Sequence, residues 1–199
     1  MKAFFSAATL LAVLAALTSA APTIKERSAG GPVIYTKGAD FIRIASQAQP
    51  NVDESVALGT TSEAIIARTD GQNEFDSYVS FQIPDIASIP GATSSSTCDI
   101  VIRNPATVTG SGHTQIFDLG GLITQTGTLT FYSHPFINQY RGEYIANLGG
   151  DSTPIDVYTV PCNFGGYMQY AMRPQNDNDY IAWTQDNVNG VGAFIEIRN

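Results

Sequence analysis

The densest set of oxygen-bearing side chains in the sequence is Asn176-Asp177-Asn178-Asp179, followed one short apolar segment later by Asp186-Asn187. Hard oxygen donors clustered on a loop are what calcium takes, so Asp177, Asp179 and Asp186 form a candidate calcium site. The spacing is not that of an EF-hand: counted from Asp177, position five is Ile181 and position six is Ala182 instead of glycine. Asn and Asp also bond their own backbone and build turns, which is the competing reading of the segment.

No other cofactor is expected, and no catalytic residue is assigned. His113 and His134 stand 21 residues apart, with no H-E-x-x-H pattern and no third ligand at a metal-binding spacing. Gly110-Ser111-Gly112-His113 lacks the G-x-S-x-G elbow and opens no helix. Sugar hydrolysis needs two carboxyl groups facing each other across a cleft. Pairs such as Asp179 with Glu196 can be drawn, but nothing in the sequence selects one. The aromatics offer a different chemistry, because a ring stacks on a sugar while neighbouring amides bind its hydroxyls. Tyr132, Tyr140, Tyr144, Tyr158, Tyr167 and Tyr170 are the candidates, with core packing as the alternative for each, and Trp183 is expected to be buried.

The elements that would position these residues are strands. Past residue 30 no apolar helical spacing persists over three turns, whereas short runs alternate with period two. The clearest are Tyr78 to Ile83, Cys98 to Arg103, Thr128 to Tyr132 and Tyr167 to Met172. Further runs are Phe41 to Ala45, Ala64 to Arg68, Thr114 to Asp118, Glu143 to Ala146, Ile155 to Val160, Tyr180 to Thr184 and Gly192 to Ile197. Turn residues punctuate them, among them Asp70-Gly71, Gly110-Ser111-Gly112, Gly165-Gly166 and Asn189-Gly190. Strands without crossover helices pair antiparallel, so the expected fold is all-β, a two-sheet antiparallel β-sandwich. Val79, Phe81 and Ile83 share one strand face and Cys98, Ile100 and Ile102 another, and both faces are expected in the core. His134-Pro135 is expected to end the strand that passes through Phe131.

The amino terminus has the layout of an export signal. Lys2 precedes an apolar run from Ala3 to Leu17, and Thr18 and Ala20 supply the small residues before a cleavage point after Ala20. The run is shorter than the ~20 residues that span a bilayer, so no membrane insertion is expected. Residues 1–20 are read as the signal and 21–27, ending in Arg27, as a candidate propeptide with a disordered mature terminus as its alternative. Residues 28–199 are then one domain. The formal net charge is −8, and removing residues 1–27 takes away Lys2, Lys25, Arg27 and Glu26, leaving −10. Such acidity disfavours nucleic acid as a partner. In an exported chain the two cysteines, Cys98 and Cys162, argue for one disulfide; buried thiols or a nucleophilic Cys162 are the alternatives. The hydroxyl-rich stretch from Thr93 to Thr97 is read as a loop open to O-linked sugars or simply solvated.

Three stretches taken together resemble the But2 carboxyl-terminal domain family of fungal secreted and cell-surface proteins. They are Ser80-Phe81-Gln82-Ile83-Pro84 leading to Thr97-Cys98-Asp99-Ile100-Val101, then Val160-Pro161-Cys162, then Asp177 to Asn187 with the closing Gly192-Ala193-Phe194-Ile195. The resemblance covers about residues 56–199, and departs where Val188-Asn189-Gly190 stands in place of a proline-containing turn. It implies a β-sandwich in an extracellular or wall-associated fungal setting and carries over no catalytic residue. The expected function is that of a secreted, non-enzymatic surface protein with a structural or interaction role. A lectin-like module for cell-wall polysaccharide is the alternative, and a secreted hydrolase the weakest. Wall polysaccharide or another extracellular protein is the expected partner.

Overall fold

The computed structural model describes residues 31–199. The expected signal at 1–20 and the 21–27 segment lie outside the described residues. The Asp70-Gly71 pair shows local sequence setting structure: both residues are in the left-handed region, at φ 50° and 68°. That conformation lets two residues close a hairpin whose twist matches its strands, here β3 (Glu63–Thr69) and β4 (Gln72–Gln82).

Among the described residues the strands form two antiparallel sheets. The smaller is ordered β1 (Val33–Gly38), β13 (Gly192–Arg198), β5 (Thr97–Arg103), β10 (Val160–Pro161). The larger is ordered β6 (Thr107–Thr109), β12 (Tyr180–Thr184), β3, β4, β11 (Tyr167–Pro174), β7 (His113–Leu119), β8 (Ile137–Ile145), β9 (Thr153–Val157), and it curls into a half-barrel. β2 (Phe41–Ser46) pairs with β4 over 75–80, and the register of β3 with β4 covers 72–75. The one α-helix among the described residues is short, α1 (Glu54–Leu58), capped by the Asp53 side chain and ended by Gly59 at φ 70°.

Alternation sorts the faces. Ile66, Val79, Phe81, Met172 and Ile181 of the large sheet meet Ile100, Ile102, Ile195 and Ile197 of the small one in the main core. Each such side chain contributes ~1.5–3 kcal/mol relative to exposure. The disulfide is formed: Cys98 is the second residue of β5, Cys162 follows β10, and their Cα atoms are 5.1 Å apart. That bridge lies within the small sheet; a tie between the two sheets is the Tyr144 hydroxyl on β8, which donates to the Ile100 carbonyl on β5.

Two expected strands are corrected. The run from Thr128 to Tyr132 is not a strand but part of a long irregular segment, 120–136, laid over the outer face of the large sheet. Its alternation is real, since Leu129 packs inward with Ile123 against Phe41, Tyr78 and Ala171 in a second small core. Its backbone, however, bonds to side chains and turns: Leu129 N donates to Asp53, and Thr130 and Ser133 bond each other. His134 consequently ends no strand; its ring stacks on Tyr78 at 5.4 Å. The Ile155 to Val160 run is broken at Tyr158-Thr159, so that one half serves each sheet as β9 and β10.

Candidate functional site

The three acids of the expected calcium site are not brought together. Asp177 accepts a hydrogen bond from Gly71 N at 2.9 Å. Asp179 is buried and accepts from the backbone N–H of Ser111 and Gly112 and from the Ser111 hydroxyl. Asp186 accepts from Val188 N and Asn189 N, both at 3.0 Å, and from the Asn189 amide, bonds that hold its carboxyl below the ordinary value. Among the described residues no three His, Cys, Asp or Glu side chains converge as a metal would require. Turn and cap bonding thus occupies each acid separately.

The tyrosines divide sharply. Tyr144 and Tyr170 are buried and unavailable for stacking, which corrects two of the six candidates. Tyr140 is half-buried, edge-to-face with both Phe117 and Tyr158. Tyr132, Tyr158 and Tyr167 are exposed, and Trp183 is buried as expected. Of the three exposed ones, Tyr167 stands where two clefts meet.

Tyr167 is the first residue of β11, and the turn before it sets its position. Gly165 there has φ 74°, a conformation that favours glycine, and a Cβ on it would crowd the Asp85 carboxylate at 2.6 Å. Ile83 N donates to Gly166 O at 2.9 Å and the Asn163 amide to Tyr167 O at 3.0 Å, anchoring the turn to the end of β4. In the resulting register Tyr167 is paired with Gln82, which places the ring and the exposed amide side by side on one face. Two residues on, Gln169 clamps the 120–136 segment: its amide accepts from Ile123 N and donates to Ile123 O and to the Ser80 hydroxyl.

Three clefts adjoin around this point. One, of about 320 Å³, is lined by Tyr35, Lys37, Gln82 and Asp85. The next, of about 360 Å³, is lined by Asp40, Phe41, Gln82, Leu122, Tyr167 and Gln169. The third, of about 260 Å³, is lined by Asp118, Arg141, Pro161, Tyr167, Gln169 and Tyr170. Gln82 is common to the first two, and Tyr167 with Gln169 to the second and third. Each cleft has one carboxylate, and the cations are paired with them: Lys37 with Asp40 and Arg141 with Asp118. The hydrogen bond to Asp118 raises the Arg141 pKa further, so this cation stays charged. Burial raises the Tyr170 phenol, which stays protonated. The arrangement offers an exposed ring, an exposed amide, two ion pairs and the Asp85 carboxylate, a set that binds hydroxyls.

Carboxylates held side by side occur elsewhere. Arg173 joins Glu74 and Asp76 on β4, and Arg198 joins Asp99 and Glu196 on the small sheet. Neither pair lines any of these three clefts. The Asp179 and Glu196 pairing drawn from the sequence places one acid on the 111–112 turn and the other between Arg103 and Arg198. Gln82, Asp118, Arg141 and Gln169 are site residues that no sequence motif singles out. Strand parity alone, which groups Tyr167 with Gln169 and Arg173 and separates it from Tyr170, pointed toward them.

No family model matches the chain, and no curated protein matches it.

Proposed function

We propose that this is a secreted, non-enzymatic extracellular protein whose interaction partner is a cell-wall polysaccharide. One observation carries the reading: Tyr167, 46% exposed, stands between two clefts with the Gln82 amide on one side and the Asp118–Arg141 pair on the other. An exposed ring flanked by amide and charge-paired groups is how a protein holds a sugar, the ring covering the apolar face and the polar groups bonding the rim. The But2 resemblance and the export layout at the amino terminus support a fungal surface or wall as the setting, and the disulfide suits an oxidising compartment.

The test is retention on chitin, β-glucan and isolated wall, comparing the wild type with Tyr167→Ala. The wild type should be retained on at least one of these, and the variant should lose at least tenfold while keeping its melting temperature. No retention on any polysaccharide would sink the proposal.

A further inference from the structure

The run of clefts says more about the ligand than that it is a sugar. We infer that the site, if it serves as proposed above, recognises the interior of a linear, neutral polysaccharide, seating about three consecutive rings, one per cleft.

Continuity is the first argument. The clefts are not separate hollows, because each shares lining side chains with the next: Gln82 at one junction, Tyr167 and Gln169 at the other. Their volumes, about 320, 360 and 260 Å³, are similar, two just above and one just below the lower end of the range for small-molecule sites, about 300 Å³. A single sugar would fill one and leave two wet. The strands supply the spacing: Gln82 on β4 and Tyr167 on β11 are neighbours across one pairing, and β7 and β8, which bring Asp118 and Arg141, follow in order. Adjacent strands lie ~4.8 Å apart. A chain laid across the sheet from β4 toward β8 therefore passes the three clefts in turn.

Charge is the second argument. Asp85, Asp40 and Asp118 place one carboxylate in each cleft, and the two cations are already engaged by Asp40 and Asp118. Within a chain of net charge −8 this leaves no unbalanced positive field for a uronate or sulfate. Paired carboxylate and guanidinium groups instead suit vicinal hydroxyls, the carboxylate accepting and the guanidinium donating.

The test is a binding titration of the whole protein with a ladder of neutral glucan and chitin oligomers of one to six units, beside a uronate ladder of the same lengths. Affinity should climb by at least tenfold from one ring to three and then level off, with the uronates weaker at every length. Of the three clefts Arg141 lines the third only, so Arg141→Gln should move the plateau from three rings to two and weaken trimers more than disaccharides. Single sugars binding as tightly as trimers, uronates binding better, or a plateau unmoved in Arg141→Gln would overturn the inference. Those outcomes leave polysaccharide binding itself intact. That broader reading falls if the protein is retained on none of the polysaccharides.

Discussion

At the scale of single residues, Asp179 shows how a side chain that looks like a ligand donor is spent on structure. It lies immediately after Asn178, which takes φ 65°, and its carboxylate is 1% exposed beneath the Gly110-Ser111-Gly112 turn. It accepts from two backbone N–H groups and one hydroxyl there, so the carboxylate does for this turn what water does for an exposed one. The fit is close on both sides: a Cβ on Gly110, at φ 74°, would lie 2.4 Å from the same carboxylate. Asp179→Ala strands those donors in the interior and should cost ~2–4 kcal/mol in urea unfolding, well beyond a typical surface substitution. Millimolar calcium should leave the melting temperature of the wild type unchanged. A calcium-dependent rise, abolished in Asp179→Ala, would restore the metal reading of this segment.

At the scale of elements, β4 carries two different faces on one strand. Val79 and Phe81 enter the main core, while Glu74, Asp76 and Tyr78 face the other way, under arginines and the 120–136 segment. Burial, reinforced by Glu74 and opposed by Arg173, pushes the Asp76 carboxyl well above the usual range. Burial alone would raise Glu74 too, but the hydrogen bond from Asp76 together with Arg68 and Arg173 holds it below its ordinary value. The signs oppose each other. Glu74 contributes stability above its unfolded pKa that is lost as pH falls through its lowered folded value. Asp76 contributes stability below its unfolded pKa that is lost as pH rises through its raised folded value. Asn at position 76 imitates the protonated acid, so Asp76→Asn should melt a few degrees higher than wild type near pH 7.5, with the gap closing toward pH 4. A variant that melts lower than wild type near pH 7.5, with the deficit closing toward pH 4, would show that the charge of Asp76 is needed by Arg173. The same face marks the limit of what alternation reveals. The runs that became β5, β11, β12 and β13 were legible because apolar periodicity and turn residues agreed, and Asp70-Gly71 specified its hairpin outright. Thr128 to Tyr132 alternates equally well, yet its backbone partners are Asp53, Ser133 and Pro50, remote or side-chain groups that periodicity does not encode. The clefts were illegible for a similar reason: Gln82, Asp118, Arg141 and Tyr167 come from four strands whose order in the sheet is set by the fold, not by distance along the chain.

At the scale of the whole molecule, the question is what holds two sheets of unequal size in one register. The small sheet touches the β9–β10 crossing at one corner, where β10 has only two residues and pairs Val160 with Cys98 and Pro161 with Thr97. So short a strand cannot fix its own position by ladder bonds, and the Cys98–Cys162 bridge does so covalently across a sequence separation of 64. In the chain-entropy model a loop of that length is worth ~4 kcal/mol, a large share of the stability of an ordinary domain. Replacing both cysteines with Ala should therefore lower the urea midpoint by an amount equivalent to about 4 kcal/mol with little change in the native secondary structure seen by circular dichroism. The bridge also bears on binding, because Val160 and Pro161 line the third cleft. With β10 released, that wall is set by a two-residue ladder alone. The double variant, still folded in the absence of denaturant, should bind glycan trimers more weakly while retaining most of its affinity for dimers. A double variant that loses stability yet keeps the full gain from the third ring would show that the bridge stabilises the sandwich without shaping the cleft.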